Sequence, residues 1–195
     1  MSKRNYLDGQ ILIAMPAMED PRFEHSLIYL CAHSENGAMG LIVNKVTPMM
    51  SFGDLVGRIE AVDGDDLAKA KEELLSTPVL FGGPVEPGRG FVLHTSDYFT
   101  PDSSLPVTPK IALTATVDIL RAMARGEGPA RASLALGYSG WAPGQLENEI
   151  QHNGWLNCAA DDDLLFGVGH ELKYAMALRK IGVDPAMLSG DAGHA

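Results

Sequence analysis

The groups most able to do chemistry gather in residues 134–155, LALGYSGWAPGQLENEIQHNGW. Glu149 and His152 stand at Glu-x-x-His spacing, which on a helix turns a carboxylate and an imidazole to one face, as pairs of metal ligands do. Gln145 extends that face into a polar stripe at i, i+4 and i+7. A di-metal site uses two such pairs, and the chain has one. A mononuclear site needs imidazoles from elsewhere, with His33 and His94 the candidates. The competing reading is a solvated or hydrogen-bonded helix face. Ser139 sits at a strand-to-helix corner, as a nucleophile elbow requires, but Trp141 stands where the elbow's second glycine belongs. That crowding makes Ser139 a turn serine, and no catalytic residue is assigned.

Other motifs are incomplete. His170-Glu171-Leu172-Lys173-Tyr174 begins like a zincin helix and lacks its second histidine. Gly167-Val168-Gly169 precedes a helix without the third glycine of a dinucleotide fingerprint, and Gly82 to Gly90 has no following Lys-Ser/Thr for a phosphate loop. No pair of short helices leads to a basic recognition face. The sequence therefore assigns no metal site and no cofactor.

What these residues can form together is a contact surface. Tyr138, Trp141 and Trp155 bracket a glycine-rich corner, and amphipathic aromatics on a rigid corner suit recognition. The competing reading places both tryptophans in the core. Gly82-Gly83-Pro84 makes a second sharp corner, combining backbone freedom with a fixed φ. The binding-surface candidates are Gly82, Gly83, Pro84, Tyr138, Trp141, Gln145, Glu149 and His152. Pro143 suits a first helical turn, Glu147 and Glu149 suit the positive end of the helix dipole, and Leu146 and Ile150 face inward.

The elements that must hold these residues follow from patterning. Residues 10–15 form a continuous apolar run expected of a strand covered on both faces. Two apolar runs separated by Ser34-Glu35-Asn36-Gly37 predict a hairpin, closed at Pro48. Ser51 to Asp54 reads as a capping box opening a helix to about Glu60, and 67–75 as an amphipathic helix stopped by Pro78. Residues 79–94 read as strand, loop, strand; 97–109 as a loop; 111–114 as a strand; 116–125 as a helix. Residues 131–137 and 155–159 read as strands, with a last helix over 168–181 and Gly182 at its C′ position. Hairpins in the first half favour α+β over a doubly wound sheet.

A net charge of −10 over 195 residues opposes direct nucleic-acid binding, which needs clustered Lys and Arg, and opposes an anionic membrane surface. Cys31 and Cys158 lie in apolar runs without metal or disulfide spacing, as buried thiols of a reducing compartment do. The basic start is followed by an apolar run too short for a signal peptide, and nothing approaches a membrane span. A cytoplasmic location is expected.

The chain resembles the AlgH/YqgE family of bacterial proteins over nearly its whole length. The resemblance rests on Gly9 to Pro16, on Phe23 to His33 followed by Gly37 to Asn44, and on Gly82-Gly83-Pro84-Val85 with Phe91 to His94. Leu134 to Glu149 with Trp155-Leu156 is its most specific block, and the closing Gly193-His194-Ala195 matches the family ending. Ser139 falls where such proteins often carry Ala, and Tyr174 where Trp is common. The resemblance implies a single domain over 1–195, an α+β fold with a flat or pseudo-barrel, mainly antiparallel sheet flanked by helices. It implies no established enzyme activity or cofactor, and the family's regulator label is compatible with an indirect role through a protein partner. The alternative is an undiscovered hydrolase or metal-dependent enzyme built on His33, His94, Glu149 and His152. The sequence sets no oligomeric state.

Overall fold

The structure is a computed structural model and describes residues 5–167 and 169–188. In chain order the strands are β1 Gln10–Ala14, β2 Leu27–Ser34, β3 Gly37–Ile42, β4 Val46–Ser51, β5 Pro78–Phe81, β6 Val85–Thr95, β7 Ser104–Pro106, β8 Ile111–Thr114, β9 Ala132–Trp141 and β10 Trp155–Ala159. The α-helices are α1 Phe52–Arg58, α2 Gly64–Lys69, α3 Glu72–Leu75, α4 Val117–Ala124, α5 Gln145–Gln151, α6 Asp162–Phe166 and α7 His170–Lys180. The fold is α+β with mainly antiparallel pairing. The chain divides into two compact units, one comprising Met1–Lys45 with Tyr138–Ala195, the other Val46–Gly137.

In the first unit the strands run in the order β10, β1, β2, β3 and the end of β9, all antiparallel. The apolar runs of β1 and β2 are buried almost throughout, which is why they do not alternate with polar residues. The predicted β2–β3 hairpin is present, with Glu35 and Asn36 as its turn. Gly37 follows at φ 125°, where an added Cβ would stand 2.3 Å from the Trp141 carbonyl oxygen. Only glycine allows β3 and β9 to approach that closely. Helix α7 supplies Ala177 and Leu178, and α6 supplies Leu164 and Leu165, to the interior. Gly182 ends α7 at φ 76°, as predicted. Val168, at the predicted start of that helix, and the closing Gly193 to Ala195 lie outside the described residues.

The second unit closes around Phe52, Val56, Val79, Val92, Ile119, Leu120 and Leu134. There β4–β5, β6–β8 and β7–β8 pair antiparallel, while β5 runs parallel to β9. The Ser51–Asp54 capping box opens α1 in full. Three elements differ from the sequence reading. Pro48 lies within β4 instead of closing the hairpin unit, on a strand that among the described residues pairs only β5, in broken register, where its missing N–H costs nothing. The helix expected over 67–75 is two short helices, because Ala70 and Lys71 are extended. The loop expected over 97–109 contains the edge strand β7, whose Pro106 is tolerated for the same reason.

Candidate functional site

The corner after β9 is built by short-range chemistry. Gly144 takes the left-handed conformation at φ 77° and starts α5, so Pro143 falls in the preceding turn rather than the first helical turn. The Gln145 side chain reaches back to accept the Ala142 N–H at 3.0 Å. One turn later its Nε2 donates to Glu149 Oε1, also at 3.0 Å. The predicted stripe is therefore a hydrogen-bonded face as far as Glu149. His152 turns away: its Nδ1 donates to the Asn148 carbonyl at 2.8 Å and caps the end of the helix.

Glu149 is the centre of the corner. Its Oε2 accepts Trp141 Nε1 at 2.9 Å and Trp155 Nε1 at 2.7 Å. The two indoles meet edge to face with centroids 5.9 Å apart, and Phe23 stacks edge-on against Trp155 at 5.7 Å. Both indoles are buried, Trp155 almost completely. They form the wall behind the surface rather than the surface itself, and what they present outward is a carboxylate held by three N–H groups from neutral side chains. Tyr138 is half-buried in β9.

Gly82 and Gly83 have a backbone role in the second unit. Gly82 N–H donates to the Leu136 carbonyl at 2.8 Å, and a Cβ on Gly137 would stand 2.3 Å from the Gly83 carbonyl oxygen. The loop ending at Pro84 thus lies hard against β9 within that unit, and it is Gly137 that must lack a side chain there.

The four residues of the enzyme alternative have separate partners. His33 accepts the Leu7 N–H at Nδ1, 3.0 Å, which leaves Nε2–H to donate to Glu147, not Glu149, at 3.0 Å. Tyr6 covers that imidazole edge-on. His94 is enclosed in the second unit: Nδ1 donates to the Thr95 carbonyl at 2.9 Å, and Nε2 accepts from Thr114 Oγ1 at 2.7 Å. Ser104 Oγ continues the chain to Thr114 at 2.8 Å and accepts the Thr100 N–H. Burial pushes His94 below the ordinary imidazole range, against the Thr95 carbonyl and Asp97, which pull it up. Among the described residues, no three His, Cys, Asp or Glu side chains gather as a metal-binding group.

Sequence reasoning missed two arrangements. The Glu147–His33 pair joins residues 114 apart in the chain, beyond any local pattern. Lys173, in the zincin-like stretch set aside above, is 1% exposed, and its Nζ donates to the Val43 carbonyl at 3.0 Å. Desolvation lowers it to about 8. His170, one turn earlier, bonds the same backbone group, and burial with the neighbouring Lys173 charge lowers it too. Both thiols are buried as predicted, and burial pushes Cys31 up to about 12.

An α+β chain of mainly antiparallel strands with this Trp–Glu–Trp corner can now be placed among known proteins. The chain belongs to the AlgH-like family, whose profile matches residues 11–186. It is 61% identical to a UPF0301 protein of Rhodopseudomonas palustris strain BisB18, covering 100% of this chain and 91% of that one. A UPF0301 protein of Nitrobacter hamburgensis is 57% identical, with 98% and 89% covered. Among solved structures, the AlgH protein of Pseudomonas aeruginosa superposes with a TM-score of 0.77 at 36% identity, covering 100% of this chain and 99% of that one. A protein from Corynebacterium diphtheriae shares the fold at a TM-score of 0.68 and 19% identity, over 92% and 89% of the two chains. No helix among the described residues is long and apolar enough to cross a membrane.

Proposed function

We propose that this protein is a cytoplasmic, non-enzymatic binding protein that engages a protein partner through the α5 corner, any effect on transcription passing through that partner. The observation that carries the reading is the corner itself. Two buried indoles and Gln145 fix Glu149, so the outer face of α5 is pre-organised before anything binds, and pre-organisation lowers the entropy lost on association. The imidazoles that an enzyme would need argue the same way. His94 is 0% and His33 8% exposed, and the ring nitrogens of both are engaged in internal hydrogen bonds. The charge of −10 favours a protein partner over nucleic acid.

A photo-crosslinking residue placed at Pro143 or Asn148, both exposed, tests this in growing cells, with the same residue at Arg89 of the second unit as control. One recurrent adduct, reproduced with the purified partner, is expected. No adduct above the Arg89 control rejects the assignment of the corner.

A further inference from the structure

A cleft of about 610 Å³ opens beside Glu149, between α5 and the loop that follows β1. Its polar lining comes from Glu19, Asp20, Asn148, Glu149 and His152, with Met18 contributing apolar surface and no Lys or Arg among the lining residues. Asp20 is already neutralised by Arg22, whose Nε and Nη2 bond its two oxygens at 3.0 and 2.7 Å. The other two carboxylates are not. Glu149 receives hydrogen bonds only from neutral donors, and Glu19 is exposed, with no ion pair or hydrogen bond among the described residues.

The lone-pair count narrows the ligand. Each carboxylate oxygen accepts about two hydrogen bonds. Oε2 of Glu149 is filled by the two indoles, while Oε1 takes one from Gln145 and keeps one site open. His152 also lines the cleft, with its Nδ1–H spent on the Asn148 carbonyl. The acceptors left for a ligand are Glu149 Oε1 and Glu19. These groups do not gather closely enough for a metal ion. A planar cation with several N–H donors can bridge separated acceptors in a way that a compact ammonium cannot.

We propose that this cleft receives an arginine side chain presented by the partner, its guanidinium bonded to Glu149 and Glu19 and its stem lying along Met18. The proposal rests on the docking reading above and adds the chemistry of the partner. Charge complementarity supports it: an uncompensated, fixed carboxylate on a chain of net charge −10 steers a basic segment toward the cleft.

The test uses the whole ¹⁵N-labelled protein and the peptide acetyl-Gly-Arg-Gly-Arg-Gly-amide, with Glu and Lys counterparts as controls. The chain has two tryptophans, and both indole N–H groups report on Glu149. Saturable shifts of both indole signals and of the Ala17 to Asp20 amides are expected with the arginine peptide alone. Glu149→Gln, which keeps an acceptor for the indoles, and Glu19→Gln, in an exposed loop, should each weaken binding at least tenfold. Equal shifts from the Glu or Lys peptide, or none from the arginine peptide at millimolar concentration, overturn the arginine assignment. If the crosslink at Pro143 still forms in that case, the docking reading survives alone; if it does not, both fall.

Discussion

Trp141 and Trp155 donate their indole N–H groups to the same oxygen, Oε2 of Glu149, at 2.9 and 2.7 Å. One carboxylate oxygen thereby ties the end of β9, the middle of α5 and the start of β10. Each indole is buried and has no second donor, so losing Glu149 strands both N–H groups at once. Desolvated donors left unpaired cost more than a formed bond contributes.

Glu149→Ala should therefore destabilise the protein by about 2–4 kcal/mol, and Glu149→Gln by about 1 kcal/mol, since the amide oxygen still accepts. Urea denaturation followed by tryptophan fluorescence measures both. Equal losses for the two variants would contradict the shared-acceptor arrangement.

The His94–Thr114–Ser104 chain predicts an acid limit for the second unit. His94 is depressed from its ordinary value of 6.5. Between its folded-state value and 6.5 the unfolded chain holds more protons. Stability then falls as pH drops through that window and is unaffected above it. His94→Gln should flatten this dependence. Thr114→Val should cost about 2–3 kcal/mol at neutral pH by orphaning both neighbours, as read from thermal denaturation.

Lys173 gives a window of the same sign on the alkaline side. Its amine titrates at about 8 in the folded chain against 10.5 ordinarily, so unfolding takes up a proton between those values and stability rises with pH across them. Below pH 8 the penalty for a buried ammonium is fully present. Lys173→Met should remove the rise and stabilise the protein at neutral pH by on the order of 1–3 kcal/mol, as replacing a buried charge with an apolar side chain of similar volume often does. Urea midpoints at pH 7 and pH 10 provide the comparison, and an unchanged slope with pH would reject the role given to Lys173.

Cys31 and Cys158 are 3% and 5% exposed, and burial raises both thiols. Neither should react with a thiol reagent in the folded protein at pH 8, and both should react at once in denaturant. A fast phase in native buffer would show that one of them is accessible.

Local signals were legible in the sequence. The hairpin at Glu35-Asn36, the Ser51–Asp54 capping box, α4 and the Gln145–Glu149 face are each set by residues within a few positions of one another. What was hidden depended on return of the chain from afar, as with His33 and Glu147, or on backbone detail. Asn153 at φ 59° reverses the chain so that Trp155 faces Glu149; Asn tolerates that left-handed conformation and Asn-Gly marks a turn, but the pair does not say what the turn brings together. The break at Ala70 and Lys71 is silent altogether, since both are good helix formers. Of the two readings open for the tryptophans, recognition surface and core, burial favours the core: they are amphipathic enough to sit at an interface, yet here the carboxylate satisfies their N–H groups and lets the rings go inside.

The Glu147–His33 bond joins α5 to a strand made more than a hundred residues earlier. Residues 46–137 form a compact unit that is continuous in sequence, whereas the unit carrying the corner is interrupted by it. During synthesis the inner segment can complete its core while the opening strands still lack β9, α5 and β10. The corner is then among the last parts of the molecule to close, and a chain released before Trp155 would display the edge of β1 that β10 covers, a target for chaperones and proteases rather than for a partner.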